Sequence, residues 1–233
     1  MGGTFIRGAF IEFMPTFLIP LPNIIIFQYN PETMTHAWTQ PASVPVSESA
    51  GGNANPLAVK GLPGESFSFT LVMDTVDMIA DGSPVAEGIA TVSGIYTRLA
   101  ALEMLQYPVP AKEDSLIPAP PVPGGAPAAT PDRTVPLMQV PTVLFVWGPG
   151  RIVPVRVTSL SITEKLYDGL LNPIHAEASI GVRVLTPDEL KWVTGPLGEL
   201  AKVAYDYSQG LRQALAIANL ANAAESAIGM LPF

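Results

Sequence analysis

Residues 142–185 read TVLFVWGPGRIVPVRVTSLSITEKLYDGLLNPIHAEASIGVRVL, a run rich in β-branched residues and divided by turn signals. Residues 142–147 predict a strand, because valine, phenylalanine and tryptophan favour a pleated sheet. The tripeptide Gly148-Pro149-Gly150 predicts a tight turn, so residues 151–163 should return as the hairpin partner. Residues 176–185 alternate apolar and polar side chains and predict a further strand. This region therefore predicts an antiparallel sheet.

The returning strand contains a change of side-chain parity. Its apolar residues fall into two sets of opposite parity, Val155 with Val157 and Leu160 with Ile162. Because side chains in a strand alternate between the two faces, an inserted residue is needed to keep both sets on one face. We therefore predict a β-bulge near Thr158 and Ser159.

Upstream residues predict more strands. Two apolar runs, residues 10–13 and 24–29, precede the turn signal Asn30-Pro31-Glu32, and the isoleucines at 24–26 favour strand over helix. Residues 65–74 alternate cleanly, which predicts a half-buried strand. The predicted buried side chains of this strand are Phe67, Phe69, Leu71 and Met73.

Helical periodicity appears in two places. Between residues 94 and 107 the apolar residues Ile95, Leu99, Leu102 and Leu105 recur at helical spacing, and Pro108 ends the run. Thr186, with Pro187 and Glu189 after it, predicts a helix start. A second helical run extends to about residue 228 after Gly195-Pro196. Its small apolar seam consists of Leu211, Ala214, Leu215, Ala218 and Ala221.

The order of elements predicts an α+β fold with a mostly antiparallel sheet, closed into a barrel or sandwich. We expect one domain over residues 1–186, interrupted by a Pro-rich insertion at residues 108–140, and a helical extension at residues 187–233. The insertion is densest in proline between Pro108 and Pro136, which predicts an extended, polyproline-like arm.

Composition narrows the classes of function. Only 14% of the 233 residues are charged and 48% are hydrophobic, against about 25% charged in a typical soluble domain. We therefore expect much of the surface to be covered by other chains. The net charge of −8 disfavours nucleic-acid binding, because acidic chains repel phosphate. The absence of cysteine excludes disulfides and thiolate sites and fits assembly in the cytoplasm.

Three segments, in this order and spacing, resemble the tube-protein family of contractile injection systems. Phe27-Gln-Tyr-Asn30-Pro31-Glu-Thr-Met is similar to the family's F-x-[FY]-N-P motif. Phe67-Ser-Phe-Thr-Leu-Val-Met-Asp74 is similar to its strand that ends in an Asp-Thr turn. Val143-Leu-Phe-Val-Trp147-Gly148, with residues 157–163 and 176–180, resembles its late strand pair. His175 stands where the family usually has arginine.

The resemblance implies a small antiparallel β-barrel with one flanking helix, assembled as a hexameric ring. It implies a structural subunit that connects the inner tube to the baseplate, with other copies, the inner-tube protein and the hub or spike as partners. The long insertion and helical tail favour a baseplate-proximal ring. The residues that carry the motifs are expected to be structural: Phe27, Asn30, Pro31, Asp74, Trp147 and Gly148.

Further expectations follow from the family's other members. Some members of the tube-protein family are adaptors with a C-terminal LysM module. This chain has no LysM-like stretch, so peptidoglycan binding is not expected. We expect assembly in the cytoplasm as part of a phage-tail-like particle, which either stays in the cell or is released.

We assign no catalytic, cofactor-binding or metal-binding residue, and we do not expect an enzyme. His36 and His175 are far apart in sequence without a nucleophile motif, so we interpret both as polar loop histidines. Asp74, Asp77 and Asp81 lack the spacing of a calcium loop. Glu65 and Asp74 could form a carboxylate pair, but we interpret them as surface acids.

Two alternatives stay open beside the baseplate ring. The chain could be the repeating inner-tube subunit, or a membrane- or glycan-binding module that uses its C-terminal helix or its loops. Trp192 is predicted to lie in an interface, because tryptophan supplies a large apolar area with one polar atom. Leu211 and Leu215 on the helical seam are predicted interface residues as well.

Overall fold

The computed structural model describes residues 6–14, 21–42, 58–76, 93–110, 138–193 and 196–230. Residues 111–137 of the Pro-rich insertion and residues 43–57 of the preceding loop lie outside the described residues. The helices with defined bounds are α1 (Tyr96–Met104), α2 (Pro187–Leu190) and α3 (Pro196–Met230). The strands are β1 (Ala9–Met14), β2 (Leu21–Ile26), β3 (Met34–Thr39), β4 (Gly64–Asp74), β5 (Val109–Pro110), β6 (Met138–Gln139), β7 (Val143–Val146), β8 (Ile152–Tyr167) and β9 (Pro173–Val184).

Seven strands form one sheet in the order β2-β1-β7-β8-β9-β4-β3. Every neighbouring pair in this sheet is antiparallel. Strands β5 and β6 form a separate two-stranded ladder at the two ends of the insertion. The predicted α+β class with a mostly antiparallel sheet is confirmed.

The predicted closure into a barrel is not found. No backbone ladder joins the edge strands β2 and β3 within the described ranges, so the sheet is open. Strand β3 covers β4 only from Gly64 to Phe69, and the second half of β4 faces the segment after β2. There the side-chain amide of Gln28 donates to the Asp74 carbonyl at 2.8 Å and accepts from the Asp74 N–H at 3.0 Å. A side chain thus bridges the gap instead of a strand.

The sheet curls around an aromatic core. The rings of Phe10 and Phe69 lie 6.2 Å apart although three strands separate β1 from β4 in the sheet. Phe27 and Phe145 complete the cluster, with Phe27 5.1 Å from Phe10 and Phe145 5.5 Å from Phe69. The predicted buried face of β4 is confirmed, because Phe67, Phe69, Leu71 and Met73 are all buried.

Helix α1 covers the seam between β2 and β4. Its buried residues Leu99 and Leu102 join the same core as the four phenylalanines. The Ile95 N–H at its start donates to the Pro173 carbonyl at 3.2 Å, which ties the helix to the beginning of β9. The helix lies within the predicted span and ends before Pro108. Helix α1 therefore occupies the place that a closing strand pair would have in a barrel.

A second, smaller core lies on the opposite face of the sheet. Leu144 of β7 packs there against Ala201 and Ala204 of α3 and against Leu190 of α2. Helix α2 begins with the predicted capping box, since the Thr186 N–H donates to the Glu189 carboxylate at 2.9 Å. In the described part of the chain, none of the helices combines the length and the apolar character that crossing a membrane requires.

The β7–β8 hairpin follows the sequence prediction closely. Gly148 adopts a φ of +71°, a left-handed conformation that favours glycine in the tight turn. The register of β8 against β9 shifts between Val157 and Ser159, which confirms the predicted bulge. At Gly181, opposite the bulge, a Cβ atom would lie 2.4 Å from the Ser159 hydroxyl oxygen. A side chain at position 181 would therefore require the Ser159 hydroxyl to rotate away.

Candidate functional site

The most unusual side chain in the core is Glu65, an acid that is 4% exposed. It lies near the start of β4 with the same parity as Phe67, so its side chain points to the buried face of the sheet. Trp38 of the edge strand β3 is its register partner. A buried carboxylate is costly unless positive or hydrogen-bonding groups surround it. The neighbours of Glu65 therefore determine whether this end of the sheet is stable.

Arg212 of α3 pairs with both oxygens of the Glu65 carboxylate. One guanidinium nitrogen donates to Oε2 at 2.8 Å, and the other donates to Oε1. His36 Nε2 lies 2.8 Å from the same Oε1, and its ring stacks on Phe67 at 4.3 Å. Bidentate pairing fixes both partners in orientation as well as in distance. Helix α3 is thereby held against β3 and β4.

Arg151 adds a second guanidinium to this cluster. Its Cζ atom lies 5.0 Å from the ring centre of Phe67, in a cation–π contact. Burial lowers the pKa of Arg151, while the Glu65 carboxylate raises it and the like charge of Arg212 lowers it. Because arginine remains protonated in proteins, the cluster brings two cations and an imidazole to one carboxylate.

A surface pocket of about 390 Å³ opens beside this cluster. Trp38 forms one side, and its ring lies 5.0 Å from the Arg212 guanidinium carbon. The remaining lining residues come from the β3–β4 segment, the end of β9 and α3: Leu62, Pro63, Glu65, Val184, Leu185, Thr186, Tyr205, Gln209 and Gln213. The pocket is thus mostly apolar, with amide and indole groups among its lining side chains. We call it the Trp38 pocket.

This arrangement of charged and aromatic side chains can anchor helix α3 and shape the adjacent surface pocket. Arg212 and His36 engage both oxygens of the Glu65 carboxylate, which makes this acid the anchor between α3 and the strands β3 and β4. No group of three or more histidine, cysteine or acidic side chains that could hold a metal ion occurs in the residues the structure describes. The geometry can hold α3 in place and can present the Trp38 pocket.

Three of the motif residues meet around Gly8. The Asn30 side chain accepts from the Gly8 N–H at 2.8 Å and donates to the Ile6 carbonyl at 2.9 Å. The Phe27 N–H donates to the Gly8 carbonyl at 2.9 Å, and a Cβ atom on Gly8 would lie 2.8 Å from the rings of both Phe27 and Trp147. Phe27, Asn30 and Trp147 therefore fasten the segment that leads into β1.

The other motif residues lie elsewhere. Asp74 accepts from the Val76 N–H at 2.8 Å, which forms the turn after β4, and its Oδ2 lies 3.2 Å from His175 Nδ1. Gly148 is in the β7–β8 turn, and Pro31 is in the loop between β2 and β3. The structure thus brings Asp74 close to Gln28 but does not join all six motif residues in one site.

Two interpretations from the sequence are wrong. His36 and His175 are strand residues of β3 and β9, each beside a carboxylate, and neither is a loop histidine. Glu65 is not a surface acid. Its parity with Phe67 was a usable signal for burial, because strand residues two apart share a face. No sequence signal pointed to Arg212, which is 147 positions away from Glu65.

The residues predicted to lie in an interface differ in exposure. Trp192 is 76% exposed and Leu215 is 62% exposed, so both are accessible in the single chain. Leu211 is partly buried and lies next to the β7–β8 turn at Gly150. The prediction that these side chains contact other chains stays a prediction.

No family model matches this chain, and a search of curated proteins finds no match either.

Proposed function

We propose that the protein is a structural subunit of a contractile injection system, and that it forms a hexameric ring connecting the inner tube to the baseplate spike or hub. The sequence resemblance motivates the family. The observation that carries the proposal is the long free edge of β8. In the ring, strands of neighbouring copies complete the open sheet into a barrel-like wall.

Strand β8 extends far beyond its partner β7. The β7 ladder covers β8 only from Ile152 to Val155, whereas the β9 ladder continues to Tyr167. From Arg156 onward, the other edge of β8 therefore has no partner strand among the described residues. At about 3.4 Å per residue this edge is roughly 40 Å long. Such an edge presents a row of N–H and C=O groups that a neighbouring chain can pair with.

The two edge strands supply the complementary partners. Strands β2 and β3 lie at opposite ends of the sheet order, and each has one unpaired side within the described ranges. Pairing β8 of one copy with an edge strand of the next is a head-to-tail contact, and repeated head-to-tail contacts close into a ring when the rotation fits. The low charge content agrees with a surface that is covered in the assembly.

The tip of the β8–β9 hairpin is suited to contact an adjacent ring. Leu170 and Leu171 are 78% and 75% exposed. The Asp168 carboxylate accepts from the Leu170 N–H at 2.7 Å and from the Asn172 N–H at 2.8 Å, so the loop has a defined conformation. A preorganised apolar tip binds at a smaller entropic cost than a loop that must first become ordered.

Adjacent proline substitutions test the edge pairing. Neighbouring strand residues point their N–H groups to opposite sides, so one of Thr163→Pro and Glu164→Pro removes an N–H from the free edge and the other removes one from the β9 ladder. We expect the wild type to form rings, seen by native mass spectrometry and negative-stain imaging. The edge variant should remain a folded monomer, and the ladder variant should lose thermal stability.

The same measurements can contradict the proposal. A wild-type chain that stays monomeric at micromolar concentration, with no binding to inner-tube or hub proteins, would be incompatible with it. Copy number in purified particles separates the two structural roles. One ring per particle corresponds to the tube–baseplate connection, and many rings correspond to the repeating tube.

A further inference from the structure

Arg151 is the charged side chain of the Glu65 cluster whose hydrogen-bonding capacity is unused. Its guanidinium carbon lies 5.0 Å from the centre of the Phe67 ring. Among the residues that the structure describes, no oxygen accepts a hydrogen bond from this guanidinium. Arginine carries five N–H donors in a planar fork that fits a carboxylate. The side chain is partly exposed, so an acceptor from another molecule can reach it.

The charges around Arg151 favour an additional anion. Arg212 already contacts both oxygens of the Glu65 carboxylate, so two guanidinium groups share one acid. Burial lowers the pKa of Arg151, and the like charge of Arg212 lowers it as well, while Glu65 raises it. A second carboxylate next to Arg151 would favour its charged form and balance the two cations.

Arg151 and the Trp38 pocket lie at the same end of the sheet. Arg151 directly precedes β8. The first part of β8 pairs with the end of β9, where Val155 is the register partner of Val184, and Val184 lines the pocket. Glu65 belongs to both places, since it lines the pocket and interacts electrostatically with Arg151. A ligand that uses both places therefore needs a negative group beside an apolar group.

The pocket itself suits an apolar side chain. Its walls include Leu62, Pro63 and Leu185. Trp38 is 48% exposed, so a ligand can bury more of its ring, which is favourable. The Arg212 guanidinium carbon lies 5.0 Å from that ring and restricts its movement. A wall that is already ordered costs little side-chain entropy on binding.

We propose that this end of the subunit binds an acidic segment of a partner protein, with a carboxylate paired to Arg151 and an adjacent apolar side chain in the Trp38 pocket. Charge complementarity selects this partner. A purely apolar segment would leave Arg151 unpaired, and a long polyanion such as nucleic acid would be repelled by the net charge of −8. The inference goes beyond the proposed ring, because all residues of the site belong to one chain.

Disulfide tethering of short peptides to the full chain tests this inference. The protein has no cysteine, so Gln213→Cys places a single thiol among the lining residues of the pocket. The probes are the acetylated peptides Leu-Asp-Leu-Gly-Cys, Leu-Asn-Leu-Gly-Cys and Ser-Asp-Ser-Gly-Cys. At a fixed concentration of reductant, the yield of mixed disulfide reports the non-covalent affinity of each peptide. Intact-mass spectrometry measures this yield.

We expect Leu-Asp-Leu-Gly-Cys to be tethered about tenfold more strongly than either of the other peptides, since each of them lacks one of the two contacts. Arg151→Gln should remove the preference for aspartate over asparagine. Arg156→Gln is the matched control, because Arg156 is an exposed arginine of β8, and it should retain the preference. Lys202→Cys, at an exposed position of the same helix α3, should tether all three peptides weakly.

A measurement without a further substitution remains informative if Arg151→Gln fails to fold. Raising the ionic strength should weaken the preference of the Gln213→Cys chain for aspartate, because salt screens a partly exposed ion pair. The preference for leucine over serine should not weaken with salt.

Several outcomes would overturn the inference. Equal yields for the aspartate and asparagine peptides exclude the carboxylate contact, and a preference that persists in Arg151→Gln excludes Arg151 as its source. Equal yields at positions 213 and 202 exclude the pocket. A phosphoserine peptide that is tethered much better than the aspartate peptide would assign the site to phosphate instead. The proposed ring is tested separately, by the oligomeric state of the wild type.

Discussion

Glu65 and Arg212 illustrate, at the scale of single residues, how a buried charge depends on one distant partner. The Glu65 side chain is 4% exposed, and Arg212 contacts both of its carboxylate oxygens. Removing one partner of a buried ion pair leaves the other charge buried without compensation. Replacing both partners by apolar residues of similar size removes both charges and their desolvation cost. The pair therefore behaves as a unit.

We predict that Arg212→Ala lowers the free energy of unfolding by about 3 kcal/mol. The double variant Glu65→Met/Arg212→Met should recover most of this loss, since neither charge remains. Urea denaturation at fixed protein concentration measures both values. A single variant with wild-type stability would show that His36 and Arg151 suffice to compensate Glu65.

Glu189 links stability to pH. Burial alone would raise its pKa, but bonds from Arg183 and Thr186 outweigh burial and lower the pKa from 4.5 to about 2. A depressed folded-state pKa stabilises the fold above pH 4.5, and this contribution disappears as the pH falls towards 2. The side chain is 38% exposed, so solvent screening reduces the contribution to about 1 kcal/mol.

We therefore predict that Glu189→Gln lowers the melting temperature at pH 7, and that its difference from the wild type shrinks between about pH 5 and pH 2. Asp188→Asn is the matched control. Asp188 is an exposed neighbour with one exposed lysine partner, so its loss should have little effect at any pH. If the melting temperatures of Glu189→Gln and the wild type differ by the same amount at every pH in this range, the lowered pKa of Glu189 is not the source of the stabilisation.

At the scale of the elements, the glycine within α3 lies in open space, whereas the glycine before β1 is tightly enclosed. Gly210 lies within the long helix α3, and a Cβ atom there would have no neighbour within 4 Å. Gly8 is enclosed by Phe27 and Trp147, whose nearest ring atoms would lie 2.8 Å from an added methyl carbon. One glycine is thus a conformational cost to its helix, and the other is required by packing.

We predict that Gly210→Ala raises the free energy of unfolding by up to about 1 kcal/mol, the difference in helix propensity between the two residues. Gly8→Ala should lower it by about 1–3 kcal/mol, the usual cost of an added methyl group in a full core. Both variants add one methyl group, so their thermal unfolding can be compared directly. If both changes in the free energy of unfolding have the same sign, the environment of one of the two glycines is misassigned.

At the scale of the whole molecule, substitutions in the apolar hairpin tip can test the proposed assembly without disturbing the fold. Leu170 and Leu171 are highly exposed, and Asp168 holds their loop through backbone bonds. Their replacement should leave the core of the subunit intact, because neither leucine belongs to it.

We predict that Leu170→Ser/Leu171→Ser retains the melting temperature of the isolated subunit but reduces attachment of the proposed ring to inner-tube or hub proteins. Co-sedimentation with purified particles measures this attachment. Val203→Ser is the control. Val203 is an exposed apolar residue of α3, outside the hairpin tip, so this variant should attach normally. Normal attachment of the tip variant would exclude the tip from the contact between rings.

Local patterns in the chain already predicted most elements. The alternation of residues 65–74, the Gly148 turn, the bulge after Val157 and the Thr186 capping box each depend on residues close in sequence, and all four are confirmed. Side-chain parity and backbone preference act over two to four residues, so a sequence pattern reports them directly.

Other features arose only when distant segments met. The closure of the sheet depends on which groups fill the gap between β2 and β4. The Gln28 amide and α1 occupy the space beside Asp74 that a closing strand would need. The pairing of Glu65 with Arg212 joins positions 147 residues apart. Such contacts follow from the path of the whole chain, since no short-range periodicity encodes which far element will supply the partner.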